Sequence, residues 1–280
     1  NHQQKQDEGR LSAVPCCKFM TTGAKRAMGK EIENWESRDL EYIWHPAAQM
    51  KDYEELPPMV IERAKGVWLY DVHGKKYLDI ISSWWCNLFG HCNPIINQAV
   101  KEQIDRLEHV IFANFSNEPA IRLAEELAQI VPKGLAKFHF NDNGSSAVEA
   151  GLKMCFQYHL QTGHPERQKF MCLSEGYHGE TIGALSVGSL DLYAQMYKPM
   201  MMENVHVEAP DCYRCPYGKD RDHCQCECFE HAEKAFEVHG KETAAIIVEP
   251  LLQGSAGMRV YPPLYLKKLR KLCDEAGVLL

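Results

Sequence analysis

Between residues 58 and 81 apolar and polar positions alternate, with Val67, Leu69, Tyr77, Leu78 and Ile80 flanking Asp71-Val72-His73-Gly74. Alternation on both sides of an Asp/Gly turn predicts a β-hairpin. From Asn93 the period lengthens: Ile96, Val100, Ile104, Leu107 and Ile111 fall at helical spacing behind an asparagine cap and a proline at the first helical position. A second helix is predicted from about Pro119 through Leu123, Leu127 and Ile130, stopped by Pro132 and Gly134. Short apolar runs then alternate with helical stretches. Strands are predicted at 136–141, 169–174, 204–208, 244–249 and from 278 onward. One helix should run from Gly144 through Met154 and Tyr158. Another should cover Pro263 to Ala276, with Leu266, Leu269 and Cys273 in register and Gly277 as its stop. This βα rhythm implies an α/β fold, a mostly parallel sheet with helices on both faces.

Two stretches carry candidate chemistry. Asp142-Asn143-Gly144-Ser145-Ser146-Ala147-Val148-Glu149 follows the predicted strand at Phe138 and Phe140 and opens a helix. The first helical N–H groups have no intrahelical partner, the helix dipole favours negative charge, and glycine admits a phosphate closely. After the next apolar run comes Gly176-Tyr177-His178-Gly179-Glu180, an aromatic and an imidazole at a second strand end, where open α/β sheets gather ligands. A phosphate cradle beside an aromatic platform suits a flat, phosphorylated cofactor. The residues alone also fit an ordinary βα turn rich in small polar residues.

The bulk composition narrows the classes. The 280 residues are 45% apolar and 25% charged, normal for a globular protein. A net charge of −7 gives no general attraction to nucleic acid or anionic membrane. No apolar run approaches the roughly 20 residues that span a bilayer, and no secretory signal pattern is present. With this patterning the twelve cysteines are expected as free thiols in a reducing, cytoplasmic setting. The chain begins at Asn1, residues 1–19 are polar and patternless, and Met20 or Met28 is a candidate start. Val278-Leu279-Leu280 reads as a strand only just begun, so a C-terminally truncated fragment is expected.

Several stretches, in order, are similar to one family: Ile43-Trp44-His45-Pro46, Ser82-Ser83-Trp84-Trp85, the 142–149 turn, Gly176-Tyr177-His178-Gly179-Glu180 and Ile246-Ile247-Val248-Glu249-Pro250. They resemble the class III aminotransferases, which use pyridoxal 5′-phosphate on the PLP-dependent transferase fold type I. Trp-His-Pro with the double tryptophan resembles the biotin-synthesis branch of that class. This implies transamination of 8-amino-7-oxononanoate to 7,8-diaminononanoate with S-adenosylmethionine as donor, small-molecule substrates, and a homodimer. The resemblance assigns the cofactor to Gly144, Ser145, Tyr177, His178 and Glu249, and the substrate to Trp84 and Tyr177, with Trp85 as packing. It divides the chain into an extension (1–40), a small-domain segment with the hairpin (41–92) and an incomplete cofactor-binding domain (93–280). It places the Schiff-base lysine and the pyridinium-pairing aspartate beyond Leu280, so no catalytic residue is expected within this chain, which alone should be inactive. One position departs: an aromatic often follows Trp-His-Pro in the family, and here Ala47 stands there, which bears on how the amino donor is held.

Cys212-Tyr213-Arg214-Cys215 is followed by Cys224, Cys226 and Cys228. Cys212, Cys215, Cys224 and Cys228 have spacing that suits tetrahedral zinc. The reading preferred from sequence is a surface insertion of reduced thiols without metal. Two other functions stay open: an ω-amino-acid aminotransferase of the same class, and a non-catalytic, metal-stapled α/β binding domain.

Overall fold

The computed structural model describes residues 34–190 and 194–280; the expectations for residues 1–19, Met20 and Met28 lie outside these. Contacts divide the chain into two compact units at Asn117/Glu118.

In the first unit, helix α1 (Trp35–Tyr42) starts at Asn34, whose side chain accepts the Ser37 N–H at 3.0 Å. Strands β1 (Ile61–Lys65), β2 (Trp68–Asp71) and β3 (Lys76–Leu78) form an antiparallel meander in that order. The predicted hairpin is β2–β3. Asp71 shapes its turn: Oδ1 accepts the N–H groups of His73 and Lys75 at 3.0 and 2.8 Å, Oδ2 takes the Tyr77 hydroxyl at 2.8 Å, and Gly74 adopts φ +82°. Helix α2 (Pro94–Arg106) begins as its cap predicts, with Asn93 Oδ1 accepting from Ile95 and Ile96 at 3.0 and 3.3 Å. Gly66 and His91 exchange backbone hydrogen bonds of 3.0 and 2.8 Å. This bridge ties the segment before α2 to the β1–β2 turn, and by contacts α2 groups with the meander, whereas the sequence division began the large domain at residue 93.

The second unit holds α3 (Glu118–Ile130), α4 (Gly144–Gln161), β4 (Lys169–Leu173), α5 (Ile182–Ser186) and β5 (Val205–Val207). These are followed by α6 (Glu230–His239), β6 (Thr243–Ile247), the short pair β7 (Leu252–Gln253) and β8 (Arg259–Val260), and α7 (Pro263–Ala276). Strands β5-β4-β6 are parallel, with Met171 opposite Val205 on one side and Ile246 on the other. Leu279 extends the sheet beyond β6: its N–H reaches Ala244 O at 3.0 Å, and its carbonyl takes the Ile246 N–H at 2.8 Å. The predicted strand at 136–141 does not form. Its Phe138/Phe140 alternation suits a sheet, but no strand among the described residues pairs with it, and Phe140 stays exposed.

The period-2 pattern of β4 sorts the core onto two faces. Met171 and Leu173 pack with Phe229, Phe236 (α6), Tyr265 and Leu269 (α7); Phe170 and Cys172 pack with Leu152 (α4) and Val187. Burying each large side chain contributes about 1.5–3 kcal/mol. Arg167 ties the far ends of three elements: Nη1 donates to Gly240 O and Thr243 O at 3.0 and 2.9 Å, and Nη2 to Ala276 O at 2.7 Å. The apolar stripes of α2 and α3 remain open, with Ile104 57% and Ile130 79% exposed. Among the described residues no helix is long and apolar enough to cross a membrane.

Candidate cofactor site

Three chain segments meet at the C-terminal ends of the parallel strands. The first is the start of α4. Asn143 is extended, and its Oδ1 accepts the Ser146 N–H at 2.8 Å. The N–H groups of Gly144 and Ser145 occupy the first helical turn, where no intrahelical acceptor exists. A Cβ built on Gly144 would meet nothing within 4 Å, so the approach to this turn is open. The Ser146 hydroxyl bonds to Asp142 and, with nearby backbone N–H groups, holds that carboxyl below the usual range.

The second segment is the 176–180 turn after β4. Gly179 has φ +124°, and a Cβ there would stand 2.2 Å from Ser145 Oγ. Glycine at 179 lets this turn press onto α4, and the Glu180 N–H reaches Ser145 Oγ at 3.3 Å. Tyr177 is half-buried, its hydroxyl 3.1 Å from Glu180 Oε1. Burial lowers the pKa of His178, and the Glu249 carboxylate partly opposes this. Among the described residues the buried His178 Nε2 has no hydrogen-bond partner.

The third segment leaves β6. Glu249 Oε1 accepts the Tyr177 N–H at 3.0 Å and Oε2 the Gly254 N–H at 2.8 Å; its own carbonyl takes the Tyr261 hydroxyl. A carboxylate spent on two backbone donors acts as a clamp between turns.

Two residues join the site that sequence reasoning gave no role. Glu149 Oε1 accepts the N–H groups of Gly183 and Ala184 at 2.8 and 3.3 Å, capping α5. Its spacing four residues after Ser145 puts both on one helix face, and that was the readable signal. Ser174, directly after β4, receives the Ala209 N–H on Oγ at 2.8 Å and the Gln253 amide on its carbonyl at 2.9 Å.

The structure thus brings Gly144, Ser145, Tyr177, His178 and Glu249 together. Trp84 belongs to the first unit. There Ser82, Ser83, Trp84 and Trp85 all have positive φ, and the two indoles are 74% and 65% exposed, so Trp85 does not take the packing position expected of it. Asp79 braces this turn, accepting the Ser83 N–H and hydroxyl at 3.0 and 2.8 Å and facing His91 Nε2 at 2.8 Å. Nearby in sequence, His45 pairs with Asp39 at 2.5 Å, and Ala47 sits in a turn with φ +51°.

A depression of about 650 Å³ lies elsewhere, between the cysteine loop and β7–β8, lined by Asp211, Arg221 and Arg259 among others. Its charges largely pair among themselves, Arg221 with Asp222 at 3.0 Å and Arg259 with Asp211 at 3.9 Å. Among the described residues no three His, Cys, Asp or Glu side chains form a ready metal-ligand set.

Residues 49–280 match the family described as Aminotransferase class-III. The chain is 44% identical over 250 residues to the adenosylmethionine-8-amino-7-oxononanoate aminotransferase of Geobacter sulfurreducens, covering 89% of this chain and 54% of that protein. It is 42% identical over 255 residues to the protein of the same name from Methanocaldococcus jannaschii, covering 89% and 55%. The crystal structure of the M. jannaschii protein superposes with a TM-score of 0.79 at 40% identity, covering 87% of this chain and 53% of that one. An omega transaminase from Pseudomonas jessenii in complex with PMP gives a TM-score of 0.79 at 29% identity, covering 87% and 54%. The chain spans about half the length of the curated relatives it matches. The parallel sheet is therefore that of a fold type I, pyridoxal-phosphate-dependent scaffold, and the chain belongs to the aminotransferase class-III family.

Proposed function

We propose that the whole protein is the aminotransferase of biotin synthesis, acting on 8-amino-7-oxononanoate with S-adenosylmethionine as amino donor. The observation that carries the cofactor part is the junction of α4, the 176–180 turn and the end of β6, held by Ser145, Gly179 and Glu249. When bound, pyridoxal phosphate supplies the electron sink for amino transfer. In this reading the Gly144 and Ser145 N–H groups bind the phosphate, with the α4 dipole behind them. Tyr177, held through its backbone by Glu249, would offer its ring as a stacking surface to the cofactor. His178, kept neutral by burial, would help shape the cofactor pocket. Trp84 bears on substrate, a role that rests on sequence resemblance. The substrate choice is supported by the names of the relatives at 42–44% identity. The exposed stripes of α2 and α3 favour a homodimer, and a cytoplasmic location completes the proposal.

The test uses the whole protein. Gly144→Val should weaken binding of pyridoxal phosphate far more than binding of unphosphorylated pyridoxal, measured by equilibrium dialysis. Equal loss for both, or none, removes the phosphate assignment. Turnover of 8-amino-7-oxononanoate should exceed that of 4-aminobutyrate or ornithine; the reverse order favours an ω-amino-acid aminotransferase.

A further inference from the structure

Five of the chain's twelve cysteines fall between residues 212 and 228. They sit in the connection from β5 to α6, of which residues 208–226 carry no helix or strand. Irregular loops longer than about 12–15 residues are uncommon in compact domains unless they are functional or disordered. Some bonds of this one are local, Arg214 N–H to Asp211, Gly218 N–H to Cys215 O and His223 to Asp220. Others reach outside it: Ala209 N–H to Ser174 Oγ at 2.8 Å, the Tyr217 hydroxyl to Glu230 at 2.7 Å, and Lys268 Nζ to Gln225 O at 2.6 Å.

The thiols are placed to add a further fastening. Cys212, Cys215, Cys224, Cys226 and Cys228 together line one cavity of about 20 Å³, room for about one water-sized sphere. None is in a disulfide. Cys226 is the most buried of them, 3% exposed and part of the core formed with Phe229 and Tyr265, against which Cys212, Cys224 and Cys228 also pack. The remaining four are only partly buried. They form two pairs, with two residues between Cys212 and Cys215 and three between Cys224 and Cys228. At that spacing each pair can turn two sulfurs onto one ion.

We propose that Cys212, Cys215, Cys224 and Cys228 form a structural zinc site that staples the β5–α6 loop to the start of α6. Four thiols lose four protons as one Zn²⁺ is taken up, giving a closed, tetrahedral four-sulfur shell with no open position. The sulfurs line the cavity without yet forming a ligand set, so uptake draws them inward. Cys226 stays in the core as a packing thiol.

The experiment is elemental analysis of the whole protein, purified under reducing conditions without chelator. About one zinc per chain is expected, and X-ray absorption should show sulfur ligands at about 2.3 Å. Cys212→Ser and Cys224→Ser should lose the metal, and Cys226→Ser should keep it. Because a variant could fail to fold, the wild-type protein is also stripped with chelator and titrated with Co²⁺; the visible bands of tetrahedral cobalt-thiolate should appear and saturate near one equivalent. Absence of both zinc and that cobalt spectrum overturns the proposal. So does equal metal loss from the Cys226 variant, or recovery of these cysteines as disulfides.

Discussion

Glu249 joins the ends of two strands by holding the Tyr177 N–H on one carboxylate oxygen at 3.0 Å and the Gly254 N–H on the other at 2.8 Å. Glutamine at 249 would keep the shape but turn an NH₂ toward one of the two donors, leaving it unsatisfied at a cost of about 1–3 kcal/mol. Glu249→Gln is expected to lower stability in urea by that amount and to loosen the Tyr177 turn. Proteolysis near residue 177 should quicken in the variant. A variant as stable and as protected as the wild type would mean the clamp contributes nothing.

Gly179 and Ser145 should be energetically coupled. A Cβ at 179 would lie 2.2 Å from Ser145 Oγ and 2.9 Å from its Cβ, so Gly179→Ala forces the turn off α4. Ser145→Gly in the same chain removes Oγ and Cβ, leaving a 3.0 Å contact with the Cα of residue 145 and the strain of φ +124° at residue 179. The double-mutant cycle should give a coupling of about 0.5–3 kcal/mol. Strict additivity would show that the two segments do not touch.

Phe236 and Val238 share helix α6 but differ in burial, 6% against 72% exposed. Phe236→Ala should cost about 3–5 kcal/mol by opening a cavity. Val238→Ala should stay within about 0.5 kcal/mol. Equal effects in denaturant titration would contradict the packing of α6 on the sheet.

Acid should act on the tryptophan turn through Asp79. The Ser83 N–H, His91 and the Ser83 hydroxyl hold its pKa at about 2, below the ordinary 3.8. A carboxylate whose folded value is the lower one stabilises the fold above 3.8, and that stabilisation fades as pH falls toward 2. Asp79→Asn should therefore lower Tm at neutral pH, with the gap to wild type closing as pH drops through this window. A gap constant with pH would assign the effect to shape and not to charge.

The guanidinium of Arg167 spans three carbonyls on Gly240, Thr243 and Ala276, a planar fork that an ammonium cannot reproduce. Arg167→Lys is expected to cost about 1.5–3 kcal/mol. Hydrogen exchange should rise at the C-terminal ends of α6 and α7 and not at α4. Uniform exchange across the domain would refute this local role.

What the sequence displays is local. Asn93 and Asn143 cap the helices their spacing predicts, Gly277 ends α7 with φ +66°, and the apolar runs at 169–174 and 244–249 became strands. The run at 136–141 has a local pattern, but among the described residues no strand pairs with it, and a strand is a property of two chain segments. The site was legible where a turn and a helix start are adjacent, as at Gly144 and Ser145. It was not legible where the bond joins distant residues. Glu249 meets Tyr177, and Arg167 meets Ala276, only after the sheet forms. No local period encodes such pairs.

The order β5-β4-β6 also sets a timetable for synthesis. β4 is made first and lies in the middle, with Met171 between Val205 and Ile246. At about 5–20 residues per second, a ribosome needs about 4–15 s to pass from Leu173 to Ile247. Through that interval Phe170, Met171, Cys172 and Leu173 have one or both edges open and no α7 to cover them. The segment buried on both faces in the finished domain is therefore the stretch whose apolar side chains wait longest for cover. Slowing translation over the codons for residues 208–243 should lengthen that exposure and lower the yield of folded protein.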